Sequence, residues 1–274
     1  YPVIGWASDI KNMKATDLRA WYKRWYGPNN AIVVVVGDVD PTDVFALAKK
    51  HFGRLKKRDI PPPRPRPEVP QQGVKRIKIH SPTAKVPYLV LAFKVPTLTQ
   101  AVTGQAVEES EIYALEVLAE VLDGDASARL NRNLVRGREI ATQTSTGFSA
   151  AARLSTLFYC VAVPRDGTTL SELEHALLDE IDTLKVTPPS EEELERIKTR
   201  VVADAVYELD SVQHQAMLIG SLRAVGLDWR LKDTYVDAIK AVTFEQVQSV
   251  AKKYLKNSGL TITALIPEIG SGST

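Results

Sequence analysis

Cysteine is almost absent from this sequence: the 274 residues contain a single one, Cys160. One cysteine excludes an internal disulfide and any metal site built from several thiolates. Cys160 lies in the apolar run STLFYCVAV, so we interpret it as a small buried hydrophobic side chain.

Long apolar runs and an excess of one charge are lacking too. No stretch approaches the roughly 20 apolar residues that a membrane-spanning helix needs. The 35 lysines and arginines nearly balance the 33 aspartates and glutamates, and the net charge of +2 gives no reason to expect a nucleic-acid partner. With 44% hydrophobic residues, the chain should bury a real core in one or two domains.

Proline, in contrast, is concentrated in one place. The segment GRLKKRDIPPPRPRPEVPQQG (53–73) holds six prolines between Pro61 and Pro70. Such a run cannot form a helix or a central strand, and it favours a stiff, extended linker between domains. Two other interpretations stay open, a basic patch over 49–58 and a proline-rich ligand motif.

The residues before the linker predict a helix, a turn and a strand. Leu18, Trp21 and Trp25 share one helical face, GPNN (27–30) is a turn, and AIVVVVGDV has the composition of a buried strand. A second helix follows, with Asp40 as its N-cap.

The residues after the linker predict a complete α/β domain of the α+β sandwich type. We expect a mostly antiparallel sheet packed by helices, with a strand pair over IATQTSTGFSA and STLFYCVAVPR. One long helix should begin at a capping box of Ser190 and Glu193 and run to Val225, about 54 Å at 1.5 Å per residue. A capped helix and the strand LTITALIP close the domain.

The opening and closing segments match each other without a gap. Residues 10–37 align with residues 239–266 at an offset of 229 positions, and apolar positions, turn and strand coincide. This pattern indicates a repeated domain, with about 155 residues of a first copy expected upstream of Tyr1. The predicted domains are a remnant of that copy at 1–55, a linker at 56–73, a complete second half at 74–267 and a tail at 268–274. The remnant should present an exposed apolar face.

Three runs resemble a known family. DLRAWYKRWYGPNNAIVVVVGDV (17–39) resembles the region that closes the first domain of pitrilysin-type zinc metallopeptidases, the inverzincins, which include insulin-degrading enzyme and the mitochondrial processing peptidase. EIYALEVLAEVLDGDASARLNRNLV (111–135), with Ser127, Arg129 and Leu130, resembles a helix, loop and helix start of their second domain. PPSEEELERIKTRVV (188–202) resembles the start of their long helix.

The resemblance implies a fold and a chemistry. Two homologous halves joined by a linker enclose a chamber, and the match is closest to bacterial two-domain members. The first half carries a His-x-x-Glu-His helix that supplies two zinc ligands and a general base. A downstream glutamate is the third ligand, and zinc activates water for peptide hydrolysis.

None of that apparatus is in this sequence. The four histidines are scattered at His51, His80, His175 and His214. The nearest motif, SELEH (171–175), has Ser171 where the first histidine would stand, and one histidine with one glutamate does not make a closed zinc site. We therefore predict no catalytic residue, no metal ligand and no cofactor in this chain, and expect zinc in the full-length parent.

One departure concerns the substrate site. Relatives that complete this site from their second half carry an arginine and a tyrosine seven positions apart. Here LVRGREIAT fills the slot, with Val135 at the arginine position and Thr142 at the tyrosine position. Arg136 and Arg138 lie close to the arginine position, so a one-residue shift could restore the arginine but not the tyrosine. We predict that Arg136, Arg138 and Thr142 line the chamber; the alternative is that the two arginines are solvated cations at a helix end.

Two functions stay open. The chain is interpreted as the non-catalytic C-terminal portion of a zinc metallopeptidase that shapes the substrate chamber, and it should itself be inactive. Alternatively, the parent is a non-catalytic relative that serves as a scaffold or partner subunit. Expected partners are the N-terminal half, a homologous second subunit and a peptide substrate of the parent, with no nucleic acid and no membrane span. The compartment is unknown, and the resemblance to bacterial relatives favours the periplasm.

Overall fold

The computed structural model describes residues 4–62 and 69–268, and the chain divides into two compact units, residues 1–69 and 70–274. Each unit is described separately below. Part of the predicted linker, residues 63–68, and nearly all of the predicted tail lie outside the described residues.

The first unit is helical. Its elements are α1 (Ala7–Asn12), α2 (Ala15–Trp25), a 3-10 turn (Pro28–Asn30) and α3 (Pro41–Phe52). Asp40 caps α3 as predicted, because its Oδ1 accepts the Thr42 amide at 2.7 Å. These backbone hydrogen bonds favour the ionised carboxyl and lower the pKa of Asp40.

The strand predicted in this unit is wrong. Residues 31–36 follow the 3-10 turn but are not part of any sheet, and Ile32, Val33 and Val35 are exposed. A β-strand is defined by hydrogen bonds to a neighbour, and these residues pair with no strand among the described residues. The exposed apolar face predicted for this segment is present, whereas its origin as the remnant of a first copy stays a prediction.

The second unit is built around a five-stranded sheet in the order β1-β5-β2-β4-β3. The strands are β1 (Lys75–Ser81), β2 (Tyr88–Val95), β3 (Ala141–Gly147), β4 (Thr156–Pro164) and β5 (Leu260–Pro267). Only the β1–β5 pair is parallel; β5–β2, β2–β4 and β4–β3 are antiparallel. The predicted mostly antiparallel sheet and the β3–β4 strand pair are therefore confirmed.

Seven α-helices and one π-helix belong to the described part of this unit. They are α4 (Leu98–Val102), α5 (Glu109–Asp123), a π-helix (Asn131–Gly137), α6 (Leu170–Val186), α7 (Glu191–Glu208), α8 (Val212–Val225), α9 (Leu231–Ala241) and α10 (Phe244–Tyr254). The core forms where α5, α6 and α10 pack together and against the sheet.

Alternate residues of the strands point into this core. Leu91 and Phe93 of β2 lie beside Phe158 and Cys160 of β4, and all four are buried. The enclosure of Cys160 confirms its interpretation as a core side chain. Burial, with a smaller contribution from the charge of Asp123, raises the pKa of the Cys160 thiol to about 12, so the thiol is neutral.

The predicted continuous helix from Ser190 to Val225 is wrong in its extent. It ends at Glu208, and α8 begins after residues 209–211. The Oγ of Ser211 accepts the amide of His214 at 3.2 Å and so caps a new helix. The apolar spacing continues through the break, so the spacing alone predicts one helix. The break is marked only by the local hydrogen bond of the serine cap.

Candidate functional site

The loop after α5 is held close to α7 by charged groups. Arg200 of α7 pairs with Glu120 near the end of α5 and lies 3.6 Å from Asp125 in the loop. A Cβ atom on Gly124 would collide with the Arg200 and Glu120 side chains. A larger residue at this position would therefore displace the ends of the two paired side chains.

Two further ion pairs extend this contact along α7. Arg196 donates to Asp125 at 2.8 Å, and Arg129 donates to both carboxylate oxygens of Glu193 at 2.9 and 2.8 Å. The Arg129 pair is largely buried and bidentate, the geometry in which an arginine–carboxylate contact is strongest and most directional. The loop and the start of the next helix are thus fixed to α7.

Glu193 does only half of what the predicted capping box requires. Ser190 accepts the Glu193 amide at 3.1 Å, as expected, but the Glu193 carboxylate turns to Arg129. Burial opposes ionisation of this carboxyl, but the hydrogen bonds and charge of Arg129, together with the charge of Arg132 and the Ser190 backbone amide, outweigh burial, so the pKa of Glu193 is lowered.

The π-helix carries the first predicted site residue. Its Asn133 amide donates to both carboxylate oxygens of Glu180 on α6, at 3.0 and 2.9 Å. Arg136, near its end, is exposed and donates to the carbonyl of Ala126. Wider turns of this kind are rare and are frequently found at functional sites.

The turn after the π-helix carries Arg138. Its side chain is exposed and forms no hydrogen bond or ion pair within the part of the chain that the structure describes. The next residue, Glu139, has a φ of 54°, in the left-handed region that non-glycine residues seldom adopt. Glu139 accepts a hydrogen bond from Arg165 at 2.9 Å, which helps to hold this turn.

Thr142 lies on β3, the strand at one edge of the sheet. It is exposed, and its Oγ1 is 3.4 Å from the carbonyl of Val163. The three predicted residues Arg136, Arg138 and Thr142 therefore lie on one short segment, and all three are exposed.

The residues present do not fit a zinc site. His51 lies on α3, His80 on β1, His175 on α6 and His214 on α8. The structure brings together no group of three or more histidine, cysteine, aspartate or glutamate side chains suited to a metal among residues 4–62 and 69–268. His175 is exposed, and its Nδ1 lies 2.7 Å from the Ser171 carbonyl of its own helix.

A cavity of about 520 Å³ lies in the helical layer of the second unit, lined by residues of α5, α7, α8 and α9 and by the chain over 148–151. Its walls are mainly apolar. Glu116 of α5 borders it and accepts a hydrogen bond from the hydroxyl of Tyr235 at 2.7 Å. This pair was not predicted from the sequence. The signal was Glu116 itself, one turn after Ile112 in the apolar stripe of α5.

The fold is an α/β domain whose described residues bring together no cluster of metal ligands. A family model described as the peptidase M16 inactive domain matches residues 12–201. The chain belongs to this family, and the resemblance to pitrilysin-type metallopeptidases is confirmed. It is an inactive C-terminal domain of the kind found in zinc-protease-like proteins.

Relatives agree with this assignment. The zinc protease PqqE of Helicobacter pylori is 28% identical over 269 residues, which cover 96% of this chain and 57% of that protein. A solved protease from Helicobacter pylori superposes with a TM-score of 0.86 at 27% identity, covering 96% of this chain and 62% of the other. The first half of the periplasmic protease PqqL from Escherichia coli superposes with a TM-score of 0.75 at 18% identity. The match covers 97% of this chain and 57% of the other.

The chain spans little more than half the length of the relative PqqE. Within the described residues, no helix has the length and apolar character needed to cross a bilayer.

Proposed function

We propose that this chain is the non-catalytic C-terminal portion of a zinc-dependent metallopeptidase and that it forms part of the wall of the substrate chamber. The single observation that carries the proposal is the match to the inactive M16 domain in a chain that spans 57% of a zinc protease. Peptide hydrolysis belongs to the parent protein, and the zinc ligands lie in its first half.

The proposed organisation follows from the same relationship. Residues 1–55 are the end of the first half, 56–73 the linker, 74–267 the second half and 268–274 a tail. The main partner is the N-terminal half, with a homologous second subunit as a further one. A solved relative is named a periplasmic protease, which supports the periplasm as the compartment.

Within the chamber, the segment Arg136–Thr142 faces the peptide. Arg138 is the best candidate for this role. Its exposed guanidinium forms no hydrogen bond or ion pair with the described residues, and ion pairs hold the backbone around it. A guanidinium has five N–H donors, and a peptide backbone offers carbonyl acceptors. Arg136 and Thr142 border the same surface.

The chain itself provides the first test. We expect less than one tightly held zinc per chain by elemental analysis, since no histidine cluster is present. We also expect no cleavage of unstructured peptides by mass spectrometry. Cleavage that survives repurification and ignores chelators would contradict the proposal.

The full-length parent provides the second test. Its upstream sequence should contain His-x-x-Glu-His, and the purified protein should cleave peptides in a zinc-dependent manner. Arg138→Ala should raise KM about tenfold with little change in kcat, because it removes binding to ground state and transition state alike. The matched control is Arg132→Ala, an exposed arginine on the same π-helix. A parent without the motif would favour the scaffold alternative.

A further inference from the structure

The cavity beside α5 has a wall and a rim of different character. The wall includes Tyr113 and Leu222, which are buried, whereas Asp204 and Glu208 at the end of α7 are exposed. The cavity therefore opens to solvent near the end of α7. Its volume of about 520 Å³ falls within the usual range for small-ligand sites.

Glu116 is the unusual group in this wall. Its Oε1 accepts the Tyr235 hydroxyl, while its Oε2 is enclosed by protein and has no hydrogen-bond partner within the part of the chain described. An enclosed polar atom without a partner is costly, so native structures usually satisfy it with protein, water or a ligand. This arrangement leaves one strong acceptor of Glu116 unsatisfied.

No cation neutralises Glu116 among the described residues. The basic side chains near the cavity face other carboxylates: Lys232 pairs with Asp233, and the Nε2 of His214 lies 3.1 Å from Glu208. Arg200 is taken by Glu120. Burial, aided by the nearby Glu120 and opposed by the Tyr235 hydrogen bond, raises the pKa of Glu116. An arriving cation would compensate the buried charge.

The remaining walls suit the apolar body of a ligand. Tyr113 and Tyr235 meet edge to face, with ring centroids 6.2 Å apart, and both border the cavity together with Phe148. Aromatic faces attract cations as well as apolar groups. At the rim, Asp204 lies 3.8 Å from Arg200 and Glu208 lies 3.1 Å from His214, so in the part of the chain that the structure describes the carboxylate without a basic partner in this cavity is the buried Glu116.

We infer that this cavity binds a single positively charged group, an amidinium, guanidinium or ammonium, carried on an apolar stem, with Glu116 as its counter-ion. The source is either a free small molecule or a basic side chain of a peptide. This site differs from the segment 136–142 and does not depend on the activity proposed for the parent.

The full 274-residue chain is titrated with benzamidine, with neutral benzamide of nearly the same shape and with anionic benzoate. Binding is followed by NMR shifts of methyl groups, with Leu218, Leu222 and Ala205 as cavity reporters. We expect benzamidine to bind with a dissociation constant of about 1 mM or below. Benzamide and benzoate should bind at least about tenfold more weakly.

Two variants test whether Glu116 is the counter-ion and whether the ligand binds in this cavity. Glu116→Gln keeps the shape of the side chain and an acceptor for Tyr235. It should weaken the binding of benzamidine at least about tenfold. Glu172→Gln, an exposed position on α6, is the matched control and should change nothing. Because a buried substitution can harm folding, Ala205→Leu is the second variant. It fills the cavity without altering charge and should abolish binding of every probe.

A second titration separates the two sources. Blocked arginine, Nα-acetyl-arginine N-methylamide, is compared with its norleucine counterpart. Tighter binding of the arginine compound than of benzamidine supports a peptide side chain, and the reverse supports a free small molecule. Equal affinity for benzamidine and benzamide, undiminished binding by Glu116→Gln, or shifts confined to other regions would each overturn the inference.

Discussion

Two regions of this molecule begin with the same helix and turn, but only the second continues into a strand, and their surroundings are opposite. When 229 positions are added, the bounds of α2 and its 3-10 turn coincide with those of α10 and the 3-10 turn that follows it, Asn257–Gly259. In the second region Val247 is 0% exposed and Ile262 3%. Their counterparts Leu18 and Val33 are 58% and 67% exposed.

The comparison separates what local sequence can do from what needs a neighbour. Helices and tight turns satisfy their hydrogen bonds within the segment, so both regions form them. A strand satisfies its hydrogen bonds only against another strand. Residues 260–267 have β1 and β2 on either side, whereas residues 31–36 pair with nothing among the described residues.

Hydrogen exchange should show the largest difference between the two regions. Amides of β5, such as that of Ile262, should exchange only when the whole second unit unfolds, which costs a free energy of about 5 kcal/mol or more. Amides of Val33 and Val35 lack strand partners and should exchange about a thousandfold faster or more, at equal intrinsic rates. Native-state exchange followed by NMR measures this ratio. Similar protection in both regions would mean that residues 31–36 have acquired a sheet partner in solution.

Matched charge substitutions on the helices should give the next largest effect. Val247→Asp places a carboxylate in the core and should cost about 4 kcal/mol or more. Leu18→Asp, at the equivalent exposed position, should change stability by about 0.5 kcal/mol or less. Urea unfolding followed by circular dichroism compares them. Equal costs would show that Leu18 is buried in solution.

Truncation of the strand residues should give an intermediate effect. Ile262→Ala leaves a cavity between the sheet and its helices and should cost about 2–5 kcal/mol. Val33→Ala removes methyl groups that already contact water, and we expect less than about 0.5 kcal/mol. The measurement is the shift of the urea unfolding midpoint, provided that the m-value is the same for both variants. A Val33 variant as damaging as the Ile262 variant would refute the contrast.

Helix caps should give the smallest effect. Thr243 and Gln246 form a reciprocal capping box at α10, so Thr243→Ala should cost about 1 kcal/mol. At α2 the equivalent contact is from the Lys14 amide to Asp17 at 2.9 Å. Lys14→Ala retains that backbone amide and should leave stability unchanged. Thermal unfolding can detect the difference, and a Lys14 effect as large as that of Thr243 would show that the caps are equivalent.

Much of the second unit could be predicted because its elements carry strong periodic patterns. Helix α5 shows regular apolar spacing, and the antiparallel β3–β4 pair has strand composition in both members. The break after Glu208 could not be predicted from spacing, because Val212 keeps the apolar period through it. Its cause is the Ser211 cap, a contact within one turn.

The site was less predictable, since it depends on pairs far apart in sequence. Glu193 fits a capping box in sequence, yet its carboxylate binds Arg129, 64 positions earlier. Arg136, Arg138 and Thr142 were selected by family resemblance alone, and their place in a chamber stays a prediction. Glu116 and Tyr235 come from helices that a pattern treats separately, so their hydrogen bond needed the folded structure.

The position of β5 has a consequence for synthesis of the chain on the ribosome. Lys75 at the start of β1 pairs with Thr261 of β5, and β5 also joins β1 to β2. While the intervening residues are being translated, β1 has no partner in its own sheet. Closure of the sheet therefore waits for β5 to leave the exit tunnel, and contacts of such long sequence separation form slowly. During that interval the edge of β2 that β5 will cover also has no partner, and unpaired strand edges are prone to aggregation.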